Sequence, residues 1–140
     1  MEVETASQIL DENDVVNDMK EFLKTQGYKI KNSCNTNQKG VDIVAEKGEQ
    51  ELWVEAKGGT SSKKNSSRYG LPFTTNQVKV HVSRAVYQAL SALDSDENPQ
   101  SAIALPDDEK HRQEIDKVRK SLEKLGIVVY FVSKERGVQR

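Results

Sequence analysis

VDIVAEKGEQELWVEAK, residues 41–57, is the stretch that decides the fold of this 140-residue chain. Two apolar-rich runs, Val41 to Glu46 and Glu51 to Lys57, alternate in period two on either side of Lys47-Gly48-Glu49-Gln50, where the glycine suits a tight turn. The stretch reads as a β-hairpin. A turn centred between Gly48 and Glu49 sets Asp42 opposite Glu55. Directly opposed residues have Cβ atoms about 4.5–5.5 Å apart, and period two brings Lys57 onto the same face. The other face is expected to hold Val41, Ile43, Ala45, Leu52, Val54 and Ala56, so the core does not need the charged trio.

Upstream, Val15, Val16, Met19, Phe22 and Leu23 recur at three- and four-residue spacing, an amphipathic helix ending at Gly27. A strand follows in YKIKNS, residues 28–33, and then a polar turn region, NTNQKG. Downstream, a long polar loop from Gly58 to Asn76 leads into a helical stripe of Val78, Val82, Ala85, Val86, Ala89, Leu90 and Leu93. SAIALP, residues 101–106, reads as a short buried strand. The acidic start Asp107, Asp108 and Glu109 then opens a helix carrying Ile115, Val118, Leu122 and Leu125. Gly126 caps it, and the unbroken apolar run GIVVYFVS reads as a last strand buried on both faces. The predicted order is αβββαβαβ, a mixed α/β sandwich in a single domain spanning residues 1–140.

Composition is that of an ordinary globular protein, 35% hydrophobic and 31% charged, which excludes disordered and membrane classes. A chain this long buries roughly 68% of its unfolded surface, so it can fold without disulfides or a structural metal. Cys34, His81 and His111 cannot fill a four-ligand zinc site, and Cys34 reads as structural or incidental. No basic segment followed by an apolar run opens the sequence, and the longest apolar stretch, Ile127 to Val132, is far short of the roughly 20 residues that span a bilayer. A cytoplasmic protein without membrane partners is expected.

Net charge is −1, but its distribution is uneven. No acidic residue lies between Glu55 and Asp94, whereas Lys57, Lys63, Lys64, Arg68, Lys79 and Arg84 do lie in that stretch. A phosphate-binding surface is expected there. Two carboxylates facing each other across a hairpin repel, so Asp42 and Glu55 call for a cation between them. A hard, oxygen-binding divalent ion meets that need, magnesium first and manganese as its expected substitute.

In element order and in Gly40-Val41-Asp42-Ile43 and Glu55-Ala56-Lys57, the chain resembles the PD-(D/E)XK nuclease superfamily, whose members are restriction-endonuclease-like. The likeness runs from about Glu12 to Val132 and is strongest to the Mrr-type and Holliday-junction-resolvase-like branches. Val41 stands where the family's leading proline would be. The resemblance implies that Asp42, Glu55 and the Ala56 carbonyl hold the metal, and that Lys57 orients or activates the attacking water. It further implies an acidic residue on the first helix, here Glu12, and a glutamine beside the active site, here Gln77. An acid favoured at a helix N-terminus and an ordinary capping segment explain those two positions as well.

The reaction implied is magnesium-dependent phosphodiester hydrolysis of DNA by an endonuclease, with double-stranded DNA as partner and room for a homodimer. The 58–76 loop is expected to be mobile and to close on the nucleic-acid backbone through Lys63, Lys64 and Arg68. Two rivals stand beside this reading. One is a nucleic-acid-binding module on the same fold that does not cut, against which all three core residues argue by being present. The other is a protein-interaction domain anchored by Tyr69, Leu71 and Phe73.

Overall fold

The computed structural model describes residues 9–32, 41–61, 65, 67 and 69–140; Cys34, Lys63, Lys64 and Arg68 lie outside the described residues. The chain runs α1 (Glu12–Thr25), β1 (Lys29–Asn32), β2 (Ile43–Lys47), β3 (Gln50–Ala56), α2 (Thr75–Leu93), β4 (Gln100–Pro106), α3 (Glu109–Asp116), α4 (Arg119–Lys124), β5 (Val128–Ser133) and β6 (Gly137–Gln139). The strands form one six-stranded sheet in sequence order. β3–β4 and β4–β5 are parallel, and the remaining pairs are antiparallel. This mixed α/β architecture differs from the predicted order in two places. The last helix is broken, because the Val118 N–H turns back to the Ile115 carbonyl before α4 begins. A short β6 adds to the β5 edge, after a turn that ends on Gly137 at φ +68°.

The hairpin keeps its predicted register, with Ile43 opposite Val54, Ala45 opposite Leu52 and Lys47 opposite Gln50. Gly48 takes φ +65° at the first of two turn positions, as a type II′ turn requires. β2 begins only at Ile43, however, and the chain bends at Asp42. Val41 therefore leaves the face of Ile43 and Ala45, where alternation had placed it, and packs instead with Val44, Trp53 and Ala92.

Both faces of the sheet are covered. Val15, Met19 and Leu23 of α1 pack on Ile43, Ala45, Leu52, Val54, Ala56, Ala102 and Ala104. On the other side Val78, Val82, Ala85 and Ala89 of α2, with Ile115 and Leu122, pack on Ile103, Leu105, Val129 and Phe131. Burial on both faces accounts for the continuous apolar reading of β4 and β5. A buried hydrogen bond from Ser101 Oγ to the Ala89 carbonyl, 2.9 Å, pins α2 to β4. Among the described residues no helix is long and apolar enough to cross a membrane.

The start of the 58–76 loop is not the free segment expected. Gly58, Gly59 and Thr60 are buried, the Gly59 N–H donates to the Leu10 carbonyl at 2.8 Å, and the Phe73 N–H donates to the Gly59 carbonyl at 3.0 Å. Ser61 and Tyr69 form a further bridge. The reason is steric as well as polar. A Cβ on Gly58 would meet the Glu12 nitrogen at 2.2 Å and the Asp11 carbonyl carbon at 2.5 Å, so the N-terminus of α1 rests directly on the end of β3. Gly59 is more forgiving, its nearest neighbours being the Ile9 and Pro106 side chains at 3.3 and 3.4 Å.

Gly58→Ala is expected to cost about 2 kcal/mol, lowering Tm by roughly 5–10 °C, since backbone rather than side chain must move. Gly59→Ala should cost clearly less. Equal melting shifts for the two variants would contradict the close approach of α1.

Candidate active site

The site forms where β2 leaves the sheet. In a two-residue hairpin the pair closing the turn is hydrogen-bonded, and alternate pairs beyond it are too. Continuing that ladder from Lys47–Gln50 would give the Ala56 N–H the Val41 carbonyl. The Asp42 carboxylate takes its place, accepting from the Ala56 N–H at 2.8 Å. The early bend thus swings Asp42 onto the end of β3, beside Glu55. Because a residue's N–H and C=O project to the same side of a strand, the Ala56 carbonyl also points toward Asp42. The Lys57 N–H points the other way and donates to Ala104 of β4.

Glu55 and Lys57 share the α2 face of β3. Glu55 is only 9% exposed, its Oε2 stands 3.5 Å from Lys57 Nζ, and its Oε1 is buried with no hydrogen-bond partner. Burial pushes the Glu55 carboxyl up to about 8, the Asp42 charge adds to the rise, and the Lys57 ammonium only partly offsets it. Asp42 is likewise raised by burial, against the lowering by its hydrogen bond from the Ala56 N–H, by the Lys57 ammonium and by its contact with the Glu55 side chain.

Glu12 completes the acidic set. Asp11 caps α1 by accepting from the Asp14 N–H at 2.8 Å, while the Asp14 carboxylate accepts from the Asp11 N–H at 3.0 Å. Glu12 is therefore the first helical residue, and the close contact at Gly58 carries it against the end of β3. Its carboxyl is raised by burial first and by Asp42 second, while Lys57 lowers it.

The opposite wall is one flank of α2. On a helix of 3.6 residues per turn, Gln77, His81, Arg84, Gln88 and Ala92 fall on one side. Ala92 packs on Trp53 of β3. Arg84 and Gln88, with Ser83 and Tyr87, line a hollow of about 300 Å³ whose floor is Glu55 and Lys57. His81 is held below the usual histidine range by burial and then by Lys57 and Arg84. Gln77, one turn further out, spends its amide on the helix cap, accepting from the Thr74 N–H at 2.8 Å while Thr74 Oγ1 accepts from its own N–H. The structure gives it the capping role. Lys79 lies roughly 140° around the helix from Arg84 and does not line the hollow. His81, Tyr87 and Gln88 were missed by sequence reasoning, although a three-residue step back and a four-residue step forward from Arg84 would have found His81 and Gln88 on a helical wheel.

The donors suit a hard divalent cation, because two carboxylates and a carbonyl converge and one carboxylate oxygen lacks a partner. Asp42, Glu55 and Ala56 are the residues that would hold it. Among the described residues no three His, Cys, Asp or Glu side chains are gathered tightly enough to hold a metal alone. Water and substrate oxygens would have to complete the shell, as they commonly do for magnesium.

No protein-family model matches the chain, and no curated protein matches it in sequence. Among solved structures it is similar to the crystal structure of an XisH family protein from Nostoc punctiforme. The TM-score is 0.55 and the identity 14%, and the match covers 90% of this chain and 96% of that one. At that identity the likeness establishes a shared fold.

The raised Glu55 carboxyl has a sign that can be tested. Between its ordinary 4.5 and about 8, the unfolded chain releases this proton while the folded protein keeps it, so stability falls as pH rises through that window. Asp42 and Glu12 are shifted in the same direction. Melting in EDTA across this range should show the decline, and Glu55→Gln should flatten it and melt higher than wild type near pH 8. A Glu55→Gln profile parallel to wild type would assign the pH dependence elsewhere.

Proposed function

We propose that this chain is a metal-dependent nuclease that hydrolyses phosphodiester bonds of DNA, on a restriction-endonuclease-like arrangement of its helices and strands. The observation that carries the reading is the meeting of Asp42, Glu55 and Lys57 at the end of β3, with Asp42 fixed on the Ala56 N–H and Glu55 Oε1 buried without a partner. Supporting it, Glu12 stands on the first helix within electrostatic reach of Asp42 and Lys57, as the resemblance to PD-(D/E)XK nucleases implies.

When bound, a magnesium ion supplies a more acidic water and stabilises charge on the phosphoryl oxygens. The chain's own residues do the rest. Asp42 and Glu55 fix where the cation sits. Burial of Glu55 keeps bulk water from screening that position. The Lys57 ammonium, on the same face as Glu55, is placed to attract the scissile phosphate and to orient the attacking water. Arg84, on the facing wall of α2, supplies a second cation for the nucleic-acid backbone.

One observation favours a second reading, a nucleic-acid-binding module that does not cut. Without a cation, a Glu55 carboxyl raised to about 8 holds its proton at neutral pH, and no three side chains form a metal cluster by themselves. Incubation with supercoiled plasmid separates the two. The nuclease reading expects nicking or linearisation with magnesium or manganese and none with EDTA. Calcium, with its looser geometry, should support binding with little turnover.

Asp42→Asn keeps an oxygen for the Ala56 N–H while removing the charge, so it should fold normally. Asp42→Ala would leave that N–H without its acceptor and is the poorer test. Asp42→Asn and Lys57→Ala should each lower cleavage on the order of 10²- to 10³-fold or more, the cost of removing one preorganised charge from an active site. Full activity in either variant, or cleavage that persists in EDTA, rules the assignment out.

A further inference from the structure

Tyr87 is 71% exposed and, among the described residues, its ring makes no aromatic contact and its hydroxyl no hydrogen bond. A singly exposed ring is ordinary on a protein surface; what sets Tyr87 apart is its place on the hollow floored by Glu55 and Lys57. Tyr87 lies one turn beyond Arg84, and both rim that hollow. Arg84 forms no ion pair among the described residues. Val80, one turn the other way, is exposed as well, so the outer rim of α2 runs apolar, cationic, aromatic. The whole of α2, Thr75–Leu93, carries no acidic residue. At about 300 Å³ the hollow is at the small end of ligand pockets.

A phosphate would be served by Arg84 and Lys57 and has no use for a ring. A paired base has both of its faces covered by its neighbours and offers the ring nothing. An unpaired base offers an open π-face, and stacking on an aromatic side chain is the common way proteins hold one. We propose that Arg84 and Tyr87 form a subsite for a nucleotide adjoining the scissile phosphate, in which Arg84 contacts the phosphate and Tyr87 stacks on an unpaired base. The inference rests on the nuclease reading and sharpens it: the preferred substrate has single-stranded or frayed character at the cut. The apolar occupant is thereby a nucleobase rather than a protein side chain.

Fluorescence anisotropy on the full chain tests this, with calcium in place of magnesium to limit cutting. The probes are a single-stranded oligonucleotide, the blunt duplex of the same sequence, and that duplex with an unpaired overhang. Wild type should bind the two probes with unpaired bases more tightly than the blunt duplex. Tyr87→Ala should weaken binding to them by roughly 5- to 100-fold, the range for losing one stacked base, and change duplex binding little. Tyr87→Phe should retain wild-type affinity, since it keeps the ring. Arg84→Ala should weaken all three probes and lower the slope of log affinity against log salt by roughly 0.7–0.9.

An equal loss on paired and unpaired probes in Tyr87→Ala, or no loss at all, overturns the stacking subsite. So does a Tyr87→Phe variant as weak as Tyr87→Ala, because the contact would then run through the hydroxyl. If wild type cuts or binds duplex DNA with no dependence on Tyr87, only this inference fails. If wild type binds none of the probes, the nuclease reading fails with it. Melting temperatures accompany each variant, and the exposure of Tyr87 leads us to expect no change in them.

Discussion

The Asp42 carboxylate accepts the Ala56 N–H at the point where β2 would otherwise continue the ladder, and the geometry of the site depends on that substitution. Had β2 run one more rung, a backbone carbonyl would have filled the bond and Asp42 would have been an ordinary outward residue of a strand. Instead a charged oxygen sits in a sheet position, bonded to the strand that carries Glu55 and Lys57. Hydrogen bonds with an ionised partner are shorter and stronger than neutral ones, so the exchange tightens the strand end. The same bend turns Val41 onto Val44, Trp53 and Ala92, which covers the α2 side of the hairpin next to Glu55.

Burial then decides the chemistry. Glu55 lies under α2, Glu12 is pressed against the strand end by the contact at Gly58, and Asp42 is fixed by its hydrogen bond. Three carboxyl groups all raised first by burial, with Asp42 adding to the rise of Glu55 and Glu12 and Lys57 as the cation beside them, are an unfavourable arrangement for stability alone. Surface charge clusters relax into water and shift little. This one cannot relax, because backbone holds two of its members. Groups displaced from their ordinary pKa by burial and by specific partners mark functional sites more often than structural ones.

Much of this was legible in the sequence for a physical reason. Period-two alternation around Gly48 leaves one good register, since a slip by one residue would turn Leu52 and Val54 out of the core; hence the pairing of β2 with β3 could be read directly. Glu12 was legible from its place at the edge of the α1 stripe. What could not be read was azimuth and termination. Nothing local shows that β2 stops at Ile43, because the cause is a long-range hydrogen bond to Ala56. The break at Lys117 is likewise tertiary, and its apolar spacing alone suggests one helix. Counting basic residues put Lys79 and Arg84 on one surface, whereas five residues of helix carry them to different sides. The polar composition of the 58–76 loop suggested freedom, but composition does not report that a glycine lies beneath a helix end.

The arrangement also explains how a chain of net charge −1 could engage a polyanion. With Glu12, Asp42 and Glu55 ionised, Lys57 and Arg84 leave the site one charge short of neutral, and a phosphate would be repelled. A proton on Glu55 brings it to neutrality; a divalent cation with all three acids ionised brings it to a net positive charge. A proton and a metal would therefore compete for the same carboxyl, and only a metal-bound form would attract a phosphate backbone at short range. On the nuclease reading, metal binding and substrate binding are then linked, each raising the affinity for the other by the same factor. Such a site needs no basic coat. On that reading its affinity for nucleic acid would be strongest where the cation sits, and would weaken when the cation leaves.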